Sequence, residues 1–491
     1  MLERRLAGLL LHPTSLPGPH GIGDLGPAAF AWIEEMADAG CSLWQVLPLG
    51  PTGYGDSPYQ CFSTFAGNPN LISPDALVAD GIIDLPTDPP PLLADHVDFG
   101  AVIDWKQRVL ALAYDRARQS LDGAYREFCN RHAAWLDDFA RFMAIKAENG
   151  LRAWTEWDPG LRDREPAALA AADDRLAGSI DRHRFSQFLF FTQWEALKAR
   201  ANERGIEIIG DLPIFVAHDS ADVWARPDLF ALQSDGRPSL VAGVPPDYFS
   251  PTGQLWGNPQ YRWDRHEEEG FGWWLSRLES VLSMVDWVRI DHFRAFADYW
   301  EIPADAPTAQ TGRWVDGPGG RFLTAVRARF GDIPIIAEDL GEISPAVEEL
   351  RDAFDLPGMK ILQFAFDDDE TNPFLPHNYP VNCVAYTGTH DNDTTRGWWA
   401  TAPEHERHYA RSYLSTDGSD ITWDLIEAAM TSRASFAIVP IQDVLDLPTT
   451  ARMNTPGVPA GNWQWRMAEA AFAPPIRQRL RILVETSQRS G

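Results

Sequence analysis

The chain has 491 residues, and its 42 Lys and Arg against 70 Asp and Glu give a formal net charge of −28. The negative electrostatic field of such a chain opposes the binding of nucleic acid, anionic membrane surfaces and anionic substrates, so a neutral substrate fits this charge best. The length exceeds the size at which a single core stops growing, which predicts one large barrel with insertions or two to three domains.

Cysteine usage and hydropathy point to a compartment. The four cysteines (Cys41, Cys61, Cys129 and Cys383) form no CxxC pair, which favours reduced thiols in a cytoplasm. The N-terminal MLERRLAGLLLHPTS is similar to a signal peptide, but its apolar core is short and no small-residue cleavage site follows. No apolar run reaches the roughly eighteen residues of a membrane span. We therefore expect a cytoplasmic protein without a membrane partner.

Apolar runs recur along the chain and predict eight strands. They cover residues 6–12, 43–50, 206–216, 285–291, 333–338, 359–366, 382–387 and 434–444. Helical patterns separate most of them, and this alternation predicts parallel strands joined by right-handed crossovers. Eight such strands favour closure into a (β/α)₈ TIM barrel, an α/β fold.

The strand–helix alternation stops between residues 71 and 178. Pro-rich loops there lead into amphipathic stretches at 103–121 and 124–149 and then into an Ala-rich polar segment, which predicts an inserted helical subdomain after strand two. Residues 1–70 would hold barrel strands one and two. Residues 179–491 would hold the other strands, a lid insertion around 243–275 and a terminal helix.

Three of the predicted strands end in acidic residues. VDWVRIDHFR ends with Arg289 and Asp291, IPIIAEDLG with Glu338, and NCVAYTGTHDND with His390 and Asp391. Alternate strand residues share a face, so Arg289 would keep Asp291 ionised, although a structural ion pair explains the same pattern. Since barrels keep their chemistry at the carboxyl ends of strands, three converging carboxylates predict a two-carboxylate glycoside mechanism with a third acid binding the sugar.

The motifs RIDHFR, AEDLG and THDND are similar to the catalytic motifs of the amylomaltase family, the 4-α-glucanotransferases or disproportionating enzymes of glycoside hydrolase family 77, which is related to the α-amylases. Four further stretches carry the resemblance: GDSPYQCFSTFAGNP, GDLPIFVAHDSADVW, PPDYFSPTGQLWGNPQY and RMNTPGVPAGNWQWR. Together they span nearly the whole chain in one order. The resemblance implies retaining transfer of an α-1,4-glucan segment from a donor maltooligosaccharide to the 4-hydroxyl of an acceptor glucan or glucose.

The resemblance also implies roles for single residues. Asp291 would attack the anomeric carbon, Glu338 would act as acid and then base, and Asp391 would hold the donor sugar. The implied substrate-binding residues are Tyr59, Asp211, Tyr248, Phe249, Trp256, Asn258, Arg289, His292, His390, Asn462 and Trp463. For Tyr59 a turn cluster, and for Asp211 a strand-to-loop turn, remain alternatives. No cofactor and no metal are expected, and the partners would be maltooligosaccharides and α-1,4-glucans, bound by a monomer or homodimer.

Residues 245–261 are turn formers interleaved with aromatic residues, a composition typical of functional lids. We expect this loop to hold the acceptor glucan through Tyr248, Phe249 and Trp256 and to exclude water.

Three other classes of protein compete with this interpretation. A metal-dependent barrel hydrolase is disfavoured because no HxH pair occurs, and His218, Asp219 and Asp222 fit turn and helix-cap roles better than metal binding. A non-catalytic glucan-binding protein would use the aromatic residues without needing the acids. An α-amylase-like hydrolase would use the same carboxylates with water as acceptor, and only the resemblance of the lid and C-terminal motifs favours transfer.

Overall fold

Apolar runs form the strands of the computed structural model, which describes residues 4–85, 88–90, 93, 95–246, 250–332, 334–367 and 369–490. The strands are β1 (Leu6–Leu10), β2 (Leu43–Gln45), β3 (Glu207–Pro213), β4 (Leu240–Val244), β5 (Gln254–Pro259), β6 (Trp287–Asp291), β7 (Asp298–Pro303), β8 (Arg313–Asp316), β9 (Ile335–Ala337), β10 (Gly358–Ile361), β11 (Cys383–Tyr386) and β12 (Phe436–Pro440).

The helices are α1 (Pro27–Asp38), α2 (Pro74–Ala79), α3 (Phe99–Ala117), α4 (Asp122–Glu148), α5 (Pro159–Arg162), α6 (Pro166–Glu203), α7 (Ala221–Ala225), α8 (Trp263–Glu268), α9 (Gly272–Met284), α10 (Gly319–Phe330), α11 (Pro345–Ala353), α12 (Thr395–Thr401), α13 (Glu404–Leu414), α14 (Ile421–Thr431), α15 (Ile441–Val444) and α16 (Pro474–Thr486). None of the helices in the described ranges is long and apolar enough to cross a membrane.

Eight strands pair in parallel in the order β10-β11-β12-β1-β2-β3-β6-β9. The ring closes between β9 and β10, where the Ala337 amide donates to the Pro357 carbonyl at 2.9 Å. Across the same seam, the Met359 amide donates to Asp339 Oδ1 at 2.7 Å. The predicted (β/α)₈ barrel is therefore confirmed.

All eight predicted strands are present, but several are shorter than the apolar runs. The run 434–444 forms a strand only to Pro440, after which the chain turns into α15. The run 359–366 likewise leaves the sheet after Ile361 and continues as a 3₁₀ turn. An apolar run reports burial and not conformation, so its length overestimates the strand.

The barrel interior is filled with apolar side chains contributed by alternate strand residues. They include Leu6, Leu10, Leu43, Ile209, Ile336, Met359, Ile361, Val384, Phe436 and Ile438. An eight-stranded barrel leaves room inside for side chains only, so this interior is a packed core and not a channel. Polar residues take over only at the carboxyl ends of the strands.

Helices α2 to α6 lie between β2 and β3, and α4 packs along α6. Helix α6 begins at Pro166, so the Ala-rich polar segment is itself helical. Alanine has the highest helix propensity and proline suits the first turn of a helix, which explains why the segment is helical. The division at residues 178 and 179 falls inside this helix, and the three-segment division stays a prediction.

A second sheet, antiparallel and four-stranded, has the order β5-β4-β7-β8. Its strand β5 occupies part of the stretch 245–261, which the sequence analysis described as an irregular loop; that description is wrong for Gln254–Pro259. In β5, Trp256 and Asn258 flank Gly257, which has a φ of 79° and lies where the register between β4 and β5 shifts in a β-bulge. This sheet therefore places both residues in a fixed relation to the barrel.

Candidate active site

The predicted catalytic residues meet at one rim of the barrel. Asp211 lies in β3, Arg289 and Asp291 in β6, and Glu338 directly after β9. Parallel pairing places Asp211 opposite Arg289, and the Glu338 amide donates to the Ile290 carbonyl at 3.1 Å. The strand register thus brings two acids beside Asp291.

Arg289 divides its guanidinium between two carboxylates. Its Nη1 donates to both oxygens of Asp211, at 2.9 and 2.7 Å, and its Nη2 donates to Asp291 Oδ1 at 2.8 Å. Burial disfavours this cation, but the charges of Asp211 and Asp291 raise the pKa of Arg289 well above its ordinary value. The Asp211 side chain is 0% exposed and that of Asp291 is 30% exposed. Asp211 is thus the buried ion-pair partner, and Asp291 is the carboxylate that a ligand can reach.

His292 turns the chain directly after Asp291. Its backbone is left-handed, with φ 54° and ψ 48°, a conformation that costs free energy in a residue with a side chain. In this conformation its amide donates to Glu338 Oε2 at 2.6 Å, while the Leu340 amide donates to Oε1 at 3.0 Å. The strained turn therefore holds one carboxyl group beside the other.

Glu338 is a buried carboxyl group whose surroundings favour its protonated form. Burial, and secondly the charge of Asp291, raise its pKa to about 8, while Arg289 and two backbone amides act in the opposite direction. A protonated carboxyl beside a carboxylate that is bonded to arginine is the pair that acid and nucleophile roles require.

Tyr59 links Asp211, on one wall of the site, to His390 on the opposite wall. Its hydroxyl donates to Asp211 Oδ2 at 2.8 Å and lies 2.9 Å from His390 Nε2. Because the Tyr59 proton points to the carboxylate, the His390 Nε2–H donates to the Tyr59 oxygen. The two rings stack with centroids 5.2 Å apart, and Trp463 flanks both, at 5.6 and 5.9 Å.

Asp391 is held by residues that the sequence analysis did not single out. Asn454 Nδ2 donates to Asp391 Oδ1 at 2.6 Å, and Arg452 Nη2 donates to the Asp391 carbonyl at 2.6 Å. Arg452 also donates to the Asn454 carbonyl at 2.7 Å. The signal for both was their place in RMNTPGVPAGNWQWR, a stretch that carries the family resemblance.

The side-chain amide of Asn462 forms hydrogen bonds within its own loop. Its Oδ1 accepts from the Thr455 amide at 2.9 Å and its Nδ2 donates to the Val458 carbonyl at 2.8 Å. These contacts close the loop that ends at Trp463.

The antiparallel sheet β5-β4-β7-β8, called the lid sheet from here on, reaches the same rim. The Trp256 ring stands perpendicular to the His292 ring, with centroids 4.9 Å apart. Asn258 donates to the Val216 carbonyl at 2.9 Å and accepts from Gln60 Nε2 at 3.3 Å. Trp256 is thus next to the turn at His292, and Asn258 holds β5 against Val216 and Gln60. Tyr248 and Phe249 lie outside the described residues.

The cluster after β3 has packing roles. Asp219 pairs with Lys146 at 2.5 Å, the Thr64 amide donates to Asp222 at 2.8 Å, and His218 Nε2 lies 2.9 Å from the Gly236 carbonyl. In the part of the chain that the structure describes, no group of three or more His, Cys, Asp or Glu residues is placed to hold a metal ion.

A (β/α)₈ barrel with a carboxyl–carboxylate pair at its carboxyl rim is the arrangement of a barrel enzyme that can cleave glycosidic bonds. The family model described as 4-alpha-glucanotransferase matches residues 11–471. The chain belongs to this family, as the sequence motifs predicted, and the predicted 4-α-glucanotransferase activity is confirmed.

Individual relatives match over nearly their whole length. A 4-alpha-glucanotransferase of Thermus thermophilus is 52% identical over 497 residues, with 99% of each chain covered, and one of a Synechocystis strain is 50% identical, with 95% of this chain and 94% of the relative covered. Among solved structures, the amylomaltase from Streptococcus agalactiae in complex with acarbose has a TM-score of 0.97 at 40% identity, covering 99% of this chain and 100% of that one.

Proposed function

We propose that this enzyme moves an α-1,4-glucan segment from a donor maltooligosaccharide to the 4-hydroxyl of an acceptor glucan or glucose by a retaining, two-step mechanism. The observation that carries the proposal is the division of the Arg289 guanidinium between Asp211 and Asp291, beside the Glu338 carboxyl group that the amides of His292 and Leu340 hold in place. This arrangement gives Asp291 and Glu338 different roles, Asp291 as nucleophile and Glu338 as acid.

In the first step the free oxygen of Asp291 attacks the anomeric carbon of the donor. Glu338 gives its proton to the glycosidic oxygen, the bond between carbon and oxygen breaks, and a glucosyl ester of Asp291 forms. The ester carries no charge, so one cause of the raised pKa of Glu338 disappears. The amides of His292 and Leu340 then stabilise the new Glu338 carboxylate.

In the second step Glu338 takes the proton of the acceptor 4-hydroxyl. The acceptor oxygen attacks the anomeric carbon and releases Asp291 as a carboxylate, which restores the starting state. Two displacements at the same carbon retain its configuration. No cofactor enters either step.

Asp391 and His390 are the groups proposed to hold the donor sugar. The Asp391 side chain is 44% exposed, and one of its oxygens is fixed by Asn454, which leaves the other for sugar hydroxyls. Tyr59 and Trp463 offer ring surfaces beside it. We assign the acceptor side to Trp256 and, from the resemblance, to Tyr248 and Phe249. The contacts of Asn462 support a role in shaping the loop.

Incubation with maltotriose tests the proposal, because it distinguishes transfer from hydrolysis by the same carboxylates. Transfer makes one new glycosidic bond for each bond broken, so glucose and longer maltodextrins should form together while the number of reducing ends stays constant. Hydrolysis would raise the number of reducing ends with every bond cleaved. A protein that only binds glucans would change neither quantity.

The environment of the enzyme is part of the same proposal. Its net charge of −28 suits neutral α-1,4-glucans and disfavours nucleic acid. We place it in the cytoplasm as a monomer or homodimer.

A further inference from the structure

A cavity of about 750 Å³ lies where the hairpin 230–240 and the start of α8 meet the antiparallel sheet and the segment that precedes α6. None of the residues placed at the catalytic rim lines it. Its volume is within the range of about 300–1,000 Å³ that is typical of small-molecule sites.

Aromatic side chains form one wall of this cavity. The rings of Tyr261 and Trp263 are 4.9 Å apart, and the ring of Phe230 lies 5.3 Å from that of Tyr261. Tyr261 and Phe230 are buried, whereas Trp263 is partly exposed. Buried neighbours hold the exposed ring rigidly, which suits contact with the flat face of a sugar.

The polar lining is mixed in sign. It comprises three arginines and four acids: Arg162, Arg164, Arg262, Asp163, Asp264, Glu301 and Asp316. Guanidinium groups only donate hydrogen bonds and carboxylates only accept them, whereas each sugar hydroxyl does both. The balance of charges disfavours an anionic or a cationic ligand and suits a neutral, polyhydroxylated one.

Two lining residues hold buried donors that have no protein acceptor among the described residues. They are Trp263 Nε1 and Arg164 Nη1. A buried donor without an acceptor is costly, so native structures rarely contain one without a reason. Both nitrogens lie beneath the surface of the cavity wall, so a ligand hydroxyl accepts from either one only after the side chain rotates.

We propose that this cavity is an accessory binding site for a short stretch of neutral α-glucan. The proposal rests on the proposed function, since it assigns the enzyme's own substrate to a second site. A long glucan held here stays near the catalytic rim, so its effective concentration there rises, whereas maltotriose is too short to gain. Aromatic contacts connect the cavity wall to the catalytic rim. The Tyr261 ring stacks on Phe215 at 5.9 Å, and the Phe215 ring lies 6.4 Å from the rings of both Trp256 and His292.

Hydrogen–deuterium exchange locates the binding. In the full-length Asp291→Asn variant, which would bind glucan without turning it over, maltohexaose should slow exchange in the hairpin 230–240 and at 261–264 as well as at the catalytic rim. Protection at the rim alone would overturn the proposal.

Kinetics on an otherwise unchanged enzyme supply the second measurement. Asp264→Ala removes a polar lining group and Ser234→Trp fills the cavity from its hairpin. Each should raise KM for amylose at least about threefold and leave kcat/KM for maltotriose unchanged. Glu268→Ala is the matched control, because Glu268 lies on the same helix outside the cavity and its side chain is 63% exposed, against 62% for Asp264.

Identical amylose kinetics in the two lining variants and the control would also refute the accessory site. Failure of the proposed function would give a different result. The unmodified enzyme would then form no product longer than maltotriose when it is incubated with maltotriose.

Discussion

A single nitrogen of Arg289, Nη1, donates hydrogen bonds to both carboxylate oxygens of Asp211, and this ion pair is almost fully buried. A buried ion pair pays a large desolvation penalty and is weak evidence for stability. Here it fixes the guanidinium so that its second nitrogen faces Asp291. We infer that the pair orients the arginine for catalysis before any substrate binds.

Asp211→Asn should therefore damage both stability and rate. Removing one partner of a buried pair leaves a cation only partly compensated, and we expect a loss of about 3 kcal/mol in the free energy of unfolding, together with a lower kcat. Urea unfolding and maltotriose kinetics measure the two effects. Asp391→Asn is the control, since its exposed carboxylate should affect activity without affecting stability. A wild-type kcat in Asp211→Asn would contradict the orienting role.

The pH dependence should report Glu338. Its pKa is raised to about 8, so the acid is present below that pH and kcat/KM should fall as the pH rises through it. A pH–rate profile with maltotriose measures this limb. A loss of activity with rising pH already near the ordinary glutamate value of 4.5 would contradict the raised pKa of Glu338.

The same shift affects stability. Because the pKa is raised in the folded state, the folded protein binds more protons than the unfolded chain between pH 4.5 and about 8. The stability contribution of Glu338 is thus complete below pH 4.5 and is lost as the pH rises through about 8. Unfolding across this window should show a steeper decline for the wild type than for Glu338→Gln. Parallel curves would contradict the shift.

Tyr59→Phe tests the link between the two walls of the site. The variant keeps the ring that stacks on His390 but leaves Asp211 and His390 without a shared partner. Since hydrogen bonds to charged groups contribute about 1.5–3 kcal/mol, we expect kcat/KM to fall about tenfold to a hundredfold. Tyr54→Phe, at an exposed tyrosine of the same loop, should remain near wild type on maltotriose. Equal effects would assign no special role to the Tyr59 hydroxyl.

Trp256→Ala should raise the ratio of hydrolysis to transfer. The ring stands against His292, beside the proposed nucleophile, where it covers the site from water and offers a stacking surface to the acceptor. Free reducing ends and longer products, measured together, give the ratio. Leu255→Ala is the control, because Leu255 is the exposed neighbour on the opposite face of β5. If Trp256→Ala loses both activities in equal proportion, the ring serves donor binding or stability.

The catalytic motifs could be found in the sequence because each one ends an apolar run. Asp291 and Glu338 close predicted strands, and Asp391 follows one, so the topology of a parallel barrel brings them to one rim. The sequence also predicted that Arg289 faces Asp291, since alternate strand residues share a side. It left open which acid is the buried partner, because burial of Asp211 depends on packing between strands.

Neither the lid sheet nor the residues that hold Asp391 could be predicted from the sequence, because both depend on contacts between distant parts of the chain. Strand β4 pairs with β7, and about sixty residues separate them in the sequence, so no local pattern marks either strand. Arg452 and Asn454 reach Asp391 from a loop without periodicity. Such contacts arise from the tertiary fold, which a local pattern does not contain.

The covalent intermediate is the central claim, and trapping it is the most direct test. Glu338→Ala would be incubated with α-maltosyl fluoride, whose fluoride leaves without a proton, so that the first step proceeds while the second lacks its base. Peptide mass spectrometry should then find a maltosyl ester on Asp291. Release of β-configured product without any adduct, or an adduct on another residue, would contradict the assignment of Asp291 as the nucleophile.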